Sequence, residues 1–265
     1  MPPSHSVTPS ILPGTARAGA TGVSGWPNIT ACPASPAPPP RSWRAPGSDP
    51  ITARALRRNL ASGADEFPQD VGELMGYFSA ADRQAVRAVP GAGLNVPIWI
   101  LGSSLYGAQL AAALGLPYAF ASHFAPAQMM QAIALYRVNF RPSAQLQQPY
   151  VMLGYNVFAA DSDEEGRLLA TSAQQAFVNL RSGRPGQLPP PLADYPSRIG
   201  ARERALLDEI LSCTAMGAPD TVANQVQGFV ARTQADELMI TSQIFDHAAR
   251  LCSYEITASV CAALG

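Results

Sequence analysis

The strongest chemical signal in the sequence is a short turn in which two adjacent serines follow an apolar run. In "LGSSLYG", Leu101 to Gly107, Gly102 lets the backbone turn closely, and Ser103 and Ser104 stand where a helix is predicted to begin. The free N–H groups and the dipole of a helix N-terminus attract anions, and the two hydroxyls add donors. The pattern fits a phosphate cradle, and it fits equally well a serine that serves only as a helix cap.

Two histidines follow apolar runs further along the chain. His123 lies in "ASHF", and Asp246 and His247 come directly after the last apolar run. Strand ends converge on the active rim of a β/α barrel, so both histidines are candidates for catalysis there. The alternatives are a structural, hydrogen-bonded His123, an exposed first-turn His247 and a helix-capping Asp246. No Ser-His-Asp order emerges, and an enzyme without an obvious acid, base or nucleophile can depend on a bound organic cofactor.

The cysteines do not suggest a metal centre or a disulfide framework. The four cysteines (Cys32, Cys213, Cys252 and Cys261) show no CxxC spacing, and the three histidines are widely scattered. A structural zinc site needs clustered Cys and His ligands, so we expect no metal. The last three cysteines lie in apolar helical contexts, which favours buried, inert thiols.

Charge and hydropathy exclude several classes of partner. The net charge is −1, and all 18 basic residues are arginines, so no lysine is available for catalysis. Nucleic-acid binding depends on clustered cations that release counterions, and no such cluster occurs. No apolar run is long enough to span a membrane, and the N-terminus lacks the basic and apolar regions of a signal peptide. We therefore predict no nucleic acid, no membrane and a cytoplasmic location.

The second part of the chain alternates between strands and helices. Four apolar runs predict buried strands: "VPIWILG", "LPYAFASHF", "PYVMLGYNVFAA" and "DELMITSQ". Continuous apolar runs are typical of strands buried on both faces of a parallel sheet. Helical patterns follow each of them, and the one that opens at Ser162 has a capping box with Glu165. Such alternation predicts βαβ units, in a small open sheet or in half of a (β/α)8 barrel.

The opening of the chain has a different composition. Residues 1–50 contain 12 of the 25 prolines and show neither helical nor strand periodicity. Such a segment cannot bury enough apolar surface to offset its ordering entropy. We therefore predict a disordered segment over residues 1–48 and a folded domain over residues 49–265, with a short helix in "TARALRRNLASG" from Thr52 to Gly63.

Several of these stretches together resemble bacterial-luciferase-like flavin-dependent monooxygenases. The resemblance rests on "VPIWILGSSLYGAQLAAALGLPYAFAS", "ASHFAPAQMMQAIALYRVNFRPS", "NVFAADSDEEG", "MGAPDTVANQVQGFVARTQADELMI" and "QIFDHAARL", and it extends from about Ala45 to the C-terminus. It implies a (β/α)8 TIM barrel that uses reduced flavin, usually FMN, with dioxygen to oxidise a small organic substrate. Some relatives use a deazaflavin, and members of the family often dimerise.

The resemblance also implies where the flavin phosphate binds. The residues after the strand that matches "WILGSS" hold it in the family, which by position gives Gly102, Ser103 and Ser104 together with the backbone of Leu105, Tyr106 and Gly107. Some relatives have Glu and then Ser where this chain has two serines, and Gly107 offers only backbone. Relatives often have Ser at the position of Ala218, so the cap of the following helix is expected to be weaker here.

Family members begin with four strands that have no counterpart here. Residues 23–43 allow a shifted codon frame that encodes VWLAEHHSMPGIASAATAVV, which is similar to the family motif after the second strand. The hypothesis is that residues 1 to about 43 are a frame-shifted translation and that the third and fourth strands are deleted; the alternative is a genuine disordered tail. We thus expect a partial barrel with roughly the last four strands and impaired monooxygenase activity. The alternative functions are a non-catalytic fragment, whose open edges a partner chain or second copy covers, and a phosphate-binding α/β module.

Overall fold

The structure, a computed structural model, describes residues 28–31, 67–80 and 88–264. They form one parallel sheet of six strands, with helices beside it. The strands are β1 (Asn28–Ala31), β2 (Ile100–Gly102), β3 (Tyr118–Phe120), β4 (Val151–Ala159), β5 (Thr214–Gly217) and β6 (Glu237–Thr241).

Eight helices are found among the described residues. They are α1 (Phe67–Phe78), α2 (Leu105–Leu114), α3 (Met129–Asn139), α4 (Asp163–Arg181), α5 (Tyr195–Arg198), α6 (Ala201–Leu211), α7 (Pro219–Thr233) and α8 (His247–Leu264). The capping of α4 follows the sequence signal, because the Ser162 hydroxyl accepts a hydrogen bond from the Glu165 N–H at 3.2 Å. Asp246 likewise caps α8 by accepting from the Ala249 N–H at 2.8 Å, so its interpretation as a helix cap is confirmed.

The four predicted strands are present, and they lie in chain order. The sheet order is β1-β6-β4-β3-β2, and every pairing is parallel. The predicted α/β class with a parallel sheet is therefore confirmed. The prediction of four strands was too low, because β5 also pairs with the far end of β4, along residues 156–159. A four-residue strand that ends at a glycine is too short to produce a recognisable strand period.

The N-terminal predictions fall largely outside the described residues. Within residues 1–48 only β1 is described, and its backbone pairs with residues 237–240 of β6; the predicted disorder over residues 1–48 stays a prediction. The predicted helix from Thr52 to Gly63 lies outside the described residues. Helix α1, which the sequence analysis left unassigned, is present.

The core lies between the sheet and its helices. Alternate residues of β4 (Val151, Leu153 and Val157) are fully buried, and they pack in one cluster with Tyr118 and Tyr136. Burying a Val or Leu side chain is worth roughly 1.5–3 kcal/mol, so this outer face of the sheet is the main source of stability.

The opposite face of the sheet is less covered. Ile100 of β2 is 2% exposed, but its neighbour Leu101, which points to the other face, is 69% exposed. The expectation that this strand is buried on both faces was therefore wrong. β2 stands at the end of the sheet order, and no described element covers the inner face at Leu101.

Candidate functional site

The two serines lie at the junction predicted for them. β2 ends at Gly102, α2 begins at Leu105, and Ser103 and Ser104 form the turn between them. The neighbouring strand holds this junction in place, since the Ala121 N–H donates to the Gly102 carbonyl at 2.9 Å. Ala121 directly follows β3, and Tyr118 of β3 donates its hydroxyl to the Ser104 carbonyl at 3.2 Å.

The junction has the groups that a phosphate needs. Ser104 occupies the N-cap position of α2 with extended backbone (φ −138°, ψ 167°), but its side chain makes no capping hydrogen bond. Both serines are exposed. The first-turn N–H groups of any helix lack intrahelical partners, and Leu105 and Gly107 lie in that turn. Two hydroxyls that are not used as caps, beside a helix N-terminus, fit a phosphate group.

His123 lies on the same rim, after β3, the strand that pairs with β2 beside the serines. Its imidazole packs on Gly154 of β4, where a Cβ atom would overlap the ring at Nδ1. Nδ1 is buried, and no described group forms a hydrogen bond with it. Burial also lowers the pKa of His123 below its ordinary value of 6.5, because the charged ring loses hydration. The ring is therefore held neutral near pH 7.

A notch in the sheet makes room for this histidine. On one edge of β4, β3 pairs with residues 151–153 and β5 pairs with residues 156–159, which leaves Gly154 and Tyr155 between them. The Ser122 hydroxyl takes the place of a strand partner there, because it donates a hydrogen bond to the Gly154 carbonyl at 2.6 Å. The chain thus places His123 directly over the gap.

Asn156 anchors the backbone of His123. Its Nδ2 donates to the His123 carbonyl at 2.9 Å, and its Oδ1 accepts from the Thr241 hydroxyl on β6 at 2.7 Å. Sequence analysis missed Asn156, although an amide inside the apolar run of β4 was a usable signal, since buried amides need partners.

His247 does not join this group. It is the exposed first residue of α8, and its Nδ1 lies 2.6 Å from an Arg250 guanidinium nitrogen. The alternative prediction for His247, an exposed residue in the first turn of a helix, is therefore confirmed. Of the two histidines, it is His123 that lies beside the sheet.

Helix α4 crosses above the carboxyl ends of the strands. Gly166 approaches Gly217 and the Phe158 carbonyl so closely that a Cβ would collide with both. One turn later, Ala170 packs with Phe158, near the end of β4, and with Ile244, which follows β6. Sequence analysis assigned α4 correctly as a helix but did not foresee that it lies over the rim.

The far end of α4 meets the loop after β3. The rings of Phe124 and Phe177 pack edge to face with centroids 6.4 Å apart. The Arg181 guanidinium carbon lies 6.0 Å from the Phe124 centroid and 5.1 Å from the Phe177 centroid. Phe124 is the residue after His123, so this cluster borders the same rim.

The start of α7 has a cap from another helix. Ala218 has no capping side chain, as its sequence implied, but the Asp163 carboxylate at the start of α4 accepts a hydrogen bond from the Ala218 N–H at 2.8 Å. That bond, and a second from the Thr221 side chain, lower the pKa of Asp163. The loss of a local cap at Ala218 is thus compensated from α4.

Other parts of the molecule do not add to this site. A cleft of about 230 Å³ opens near β5 and α7, lined by Tyr155, Phe229 and Arg232 among others, and it contains none of the predicted site residues. In the part of the chain that the structure describes, no cluster of His, Cys, Asp and Glu could hold a metal ion. Within the same residues, no helix combines the length and apolar character needed to cross a membrane.

Comparison with known sequences gives consistent matches. The sequence model of the luciferase-like monooxygenase family matches residues 52–237. A protein of Escherichia coli strain K12 named luciferase-like monooxygenase is 50% identical over 218 residues, and the uncharacterized protein YvbT of Bacillus subtilis strain 168 is 49% identical over 219 residues. Each alignment covers 82% of this chain but only 65% of the relative.

Solved structures share the fold. Apo-MsnO8 is 26% identical with a TM-score of 0.66, over 80% of this chain and 64% of that one. The oxygenating constituent of 3,6-diketocamphane monooxygenase from Pseudomonas putida, a type II Baeyer-Villiger monooxygenase in complex with FMN, is 15% identical with a TM-score of 0.54, over 82% of this chain and 69% of that one.

Proposed function

Because this chain belongs to the luciferase-like monooxygenase family, we propose that it binds the phosphate end of a flavin at the junction of β2 and α2. The flavin is FMN, or a deazaflavin as in some relatives, and its partners in the reaction are dioxygen and a small organic substrate. The binding residues are Gly102 to Gly107: the hydroxyls of Ser103 and Ser104 donate, and the backbone of Leu105, Tyr106 and Gly107 forms the helix end. The observation that supports this most is the pair of exposed serines with no capping bond by Ser104.

The proposed chemistry divides between cofactor and protein. Bound reduced flavin supplies the electrons that activate dioxygen. The chain's own residues fix the phosphate and border the space above the rim. His123, a neutral ring at that rim, is the candidate to hold or move a proton through its other nitrogen, Nε2. His247 is the weaker candidate, because it sits at the exposed start of α8.

The affinity should be low. Charge-assisted hydrogen bonds contribute about 1.5–3 kcal/mol each, but association also costs several kcal/mol of lost freedom. Tight binding needs the flavin ring to be buried as well, whereas the inner face at Leu101 is 69% exposed. We therefore propose FMN affinity in roughly the high micromolar range and no measurable turnover by the chain alone.

The exposed inner face also supports a second candidate, a non-catalytic fragment. β1 and β2 end the sheet order, and unpaired strand edges attract other strands. A second copy or a partner chain that covers these edges would complete the pocket. A cytoplasmic location and the frame-shifted origin of the N-terminal residues remain predictions; sequencing the locus tests the latter.

A fluorescence titration with FMN, riboflavin and inorganic phosphate tests the flavin proposal. FMN should bind more tightly than riboflavin, which lacks the phosphate, and inorganic phosphate should compete with FMN. The double variant Ser103→Ala/Ser104→Ala should reduce FMN affinity by about tenfold, which corresponds to about 1.4 kcal/mol, and should leave riboflavin unchanged. The control is Ser259→Ala, an exposed serine on α8.

The outcomes separate the candidates. Equal binding of FMN and riboflavin would exclude the phosphate site. Equal competition by inorganic phosphate and by FMN would favour a general phosphate-binding module. Nanomolar FMN binding that the double variant abolishes would show that the pocket is complete in this chain.

A further inference from the structure

His123 meets Gly154 with one particular atom of its ring. A Cβ atom built on Gly154 would lie nearest to Nδ1, and the two ring atoms that flank Nδ1, Cε1 and Cγ, would follow at 2.9 and 3.0 Å. A point above the face of the ring would be almost as close to those two atoms as to Nδ1, whereas here both are clearly further away. Gly154 therefore lies in the ring plane, in the direction in which the lone pair or the N–H bond of Nδ1 extends.

This geometry determines which ring nitrogen carries the proton. A hydrogen on Nδ1 would point at the backbone of Gly154, and among the described residues it would have no acceptor. A neutral imidazole has one N–H and one lone pair, and a lone pair needs less room than an N–H group against a packed backbone. Because the lowered pKa of His123 keeps the ring neutral near pH 7, its proton lies on Nε2.

The proton on Nε2 points away from the sheet. Gly154 alternates along β4 with Leu153 and Tyr155, which lie in the outer core, so a Cβ on Gly154 would project to the inner face. Nε2 lies on the other side of the ring from the atom that meets Gly154, and no described group accepts a hydrogen bond from it. The partly exposed ring of His123 therefore offers one donor to the space on the inner side of the sheet.

We propose that the fold fixes His123 as a hydrogen-bond donor: Nε2–H donates to a carbonyl oxygen of a molecule bound on the inner face, and Asn156 is the positioning residue that keeps the ring in this orientation. An uncharged donor suits a neutral oxygen, whereas anions are matched by charged donors. The carbonyl belongs to the flavin ring or to the organic substrate, so the inference rests on the proposed function. With its proton on Nε2, His123 is not the general base at that atom.

Asn156 acts on the backbone of His123 rather than on its ring. The Asn156 Nδ2 donates to the His123 carbonyl at 2.9 Å, and the Thr241 hydroxyl donates to Oδ1 at 2.7 Å, which fixes the orientation of the amide. The Asn156 side chain is 6% exposed, so water does not readily replace it. Without this amide the loop after β3 can move, the ring can leave Gly154, and either nitrogen can then carry the proton.

Long-range proton–nitrogen NMR of the isotope-labelled full chain tests the tautomer directly, because protonated and unprotonated ring nitrogens resonate far apart. The chain has three histidines, so the signal lost in His123→Gln is that of His123. Above the ordinary pKa of 6.5, His123 should show only the Nε2–H tautomer. Asn156→Ala should give the averaged signals of a mixed ring. The control Thr233→Val removes another buried hydroxyl, on α7, and should leave the tautomer unchanged.

FMN and cyclohexanone are the two probes for the carbonyl acceptor. The probe that accepts the hydrogen bond should shift the Nε2 signal of His123, which assigns the carbonyl to the flavin or to the substrate. His123→Leu should weaken that probe about fivefold, the usual effect of one hydrogen bond. His123→Gln should recover most of the affinity, because its amide nitrogen donates from a similar place. Circular dichroism confirms that each variant is folded, and Thr241→Val, which removes only the donor to Oδ1, replaces Asn156→Ala if that variant does not fold.

The proposal is overturned by an Nδ1–H or mixed tautomer in the unaltered chain, by an Nε2 signal that neither probe shifts, or by equal binding of the shifting probe to His123→Leu. An unmixed tautomer in the folded Asn156 or Thr241 variant refutes the positioning role. The flavin proposal is tested separately by the serine variants. If the serines hold FMN and His123 is in the Nδ1–H form, only the present inference fails. If cyclohexanone shifts Nε2 and FMN does not bind, only the flavin proposal fails.

Discussion

The two faces of the sheet differ in burial and in the residues they carry. Neighbouring residues of β2, β3 and β4 show the difference. On the outer face Ile100, Tyr118 and Val151 lie in register and are at most 2% exposed. One residue further along, Leu101 and Ala119 lie in register on the inner face and are 69% and 9% exposed. The outer face packs apolar side chains against helices, whereas the inner face ends in His123, Asn156 and the serine turn. Stability and the candidate chemistry are thus carried by opposite sides of the same backbone.

The largest expected effect is a truncation on the outer face. Leu153→Ala removes a fully buried side chain from β4 and should cost about 2–5 kcal/mol in the free energy of unfolding, because the surrounding helices cannot fill the cavity. Urea unfolding followed by circular dichroism measures the loss. A loss below 1 kcal/mol would show that the outer face is not the main core.

A smaller loss is expected where the inner face is tightly filled. Gly154→Ala places a methyl group into the His123 ring, so the ring or the strand must move. Overpacking of this kind costs about 1–3 kcal/mol. Urea unfolding measures the loss, and the double variant Gly154→Ala/His123→Ala should recover most of it. If the double variant does not regain stability, the strain in Gly154→Ala does not come from contact with the His123 ring.

The pH dependence of stability tests the burial of His123 on the inner face. Because burial lowers the pKa of His123 in the folded chain, the folded state is favoured when the ring is neutral. In the unfolded chain the ring has its ordinary pKa of 6.5, so below that pH the unfolded chain binds a proton that the folded chain does not bind. Stability should therefore fall as the pH falls from 6.5 towards the folded pKa. Unfolding curves at several pH values should show a shallower fall in His123→Gln than in the unaltered chain, and an equal fall in both would contradict the prediction.

The smallest effect is expected at the exposed part of the inner face. Leu101→Gln should change the free energy of unfolding by no more than about 0.5 kcal/mol, because the side chain already contacts water. The same urea experiment measures it. A cost comparable with that of Leu153→Ala would mean that another segment or a second chain covers this face.

Local signals explain the parts of the fold that could be predicted. The apolar runs at β2, β3, β4 and β6, the cap at Ser162 and the cap at Asp246 each depend on residues close in sequence. The position of Ser103 and Ser104 between a strand and a helix was predictable for the same reason.

Tertiary contacts explain the parts that could not. β5 is defined by its pairing with β4 rather than by its own pattern, and the exposure of Leu101 depends on what lies across the sheet. The position of α4 above the rim depends on the close approach of Gly166 to Gly217, and a single glycine inside a helical pattern gives no such indication. His123 was predicted as a rim residue, but its contact with Gly154 requires the gap between β3 and β5.

The gap at Gly154 has a consequence for the order of assembly during synthesis. The pairing of β4 with β3, together with the bond from Ser122 to Gly154, spans about 32 residues, whereas the bond between Asn156 and Thr241 spans 85 residues. Nearby segments close with less loss of chain entropy and leave the ribosome earlier. The pairing of β3 with β4 can therefore form first, and the other edge of β4 stays unpaired until β6 has been translated. During that interval the Thr241 hydroxyl is not yet present to donate to the Asn156 Oδ1, so the anchor of His123 is completed only when β6 pairs with β4.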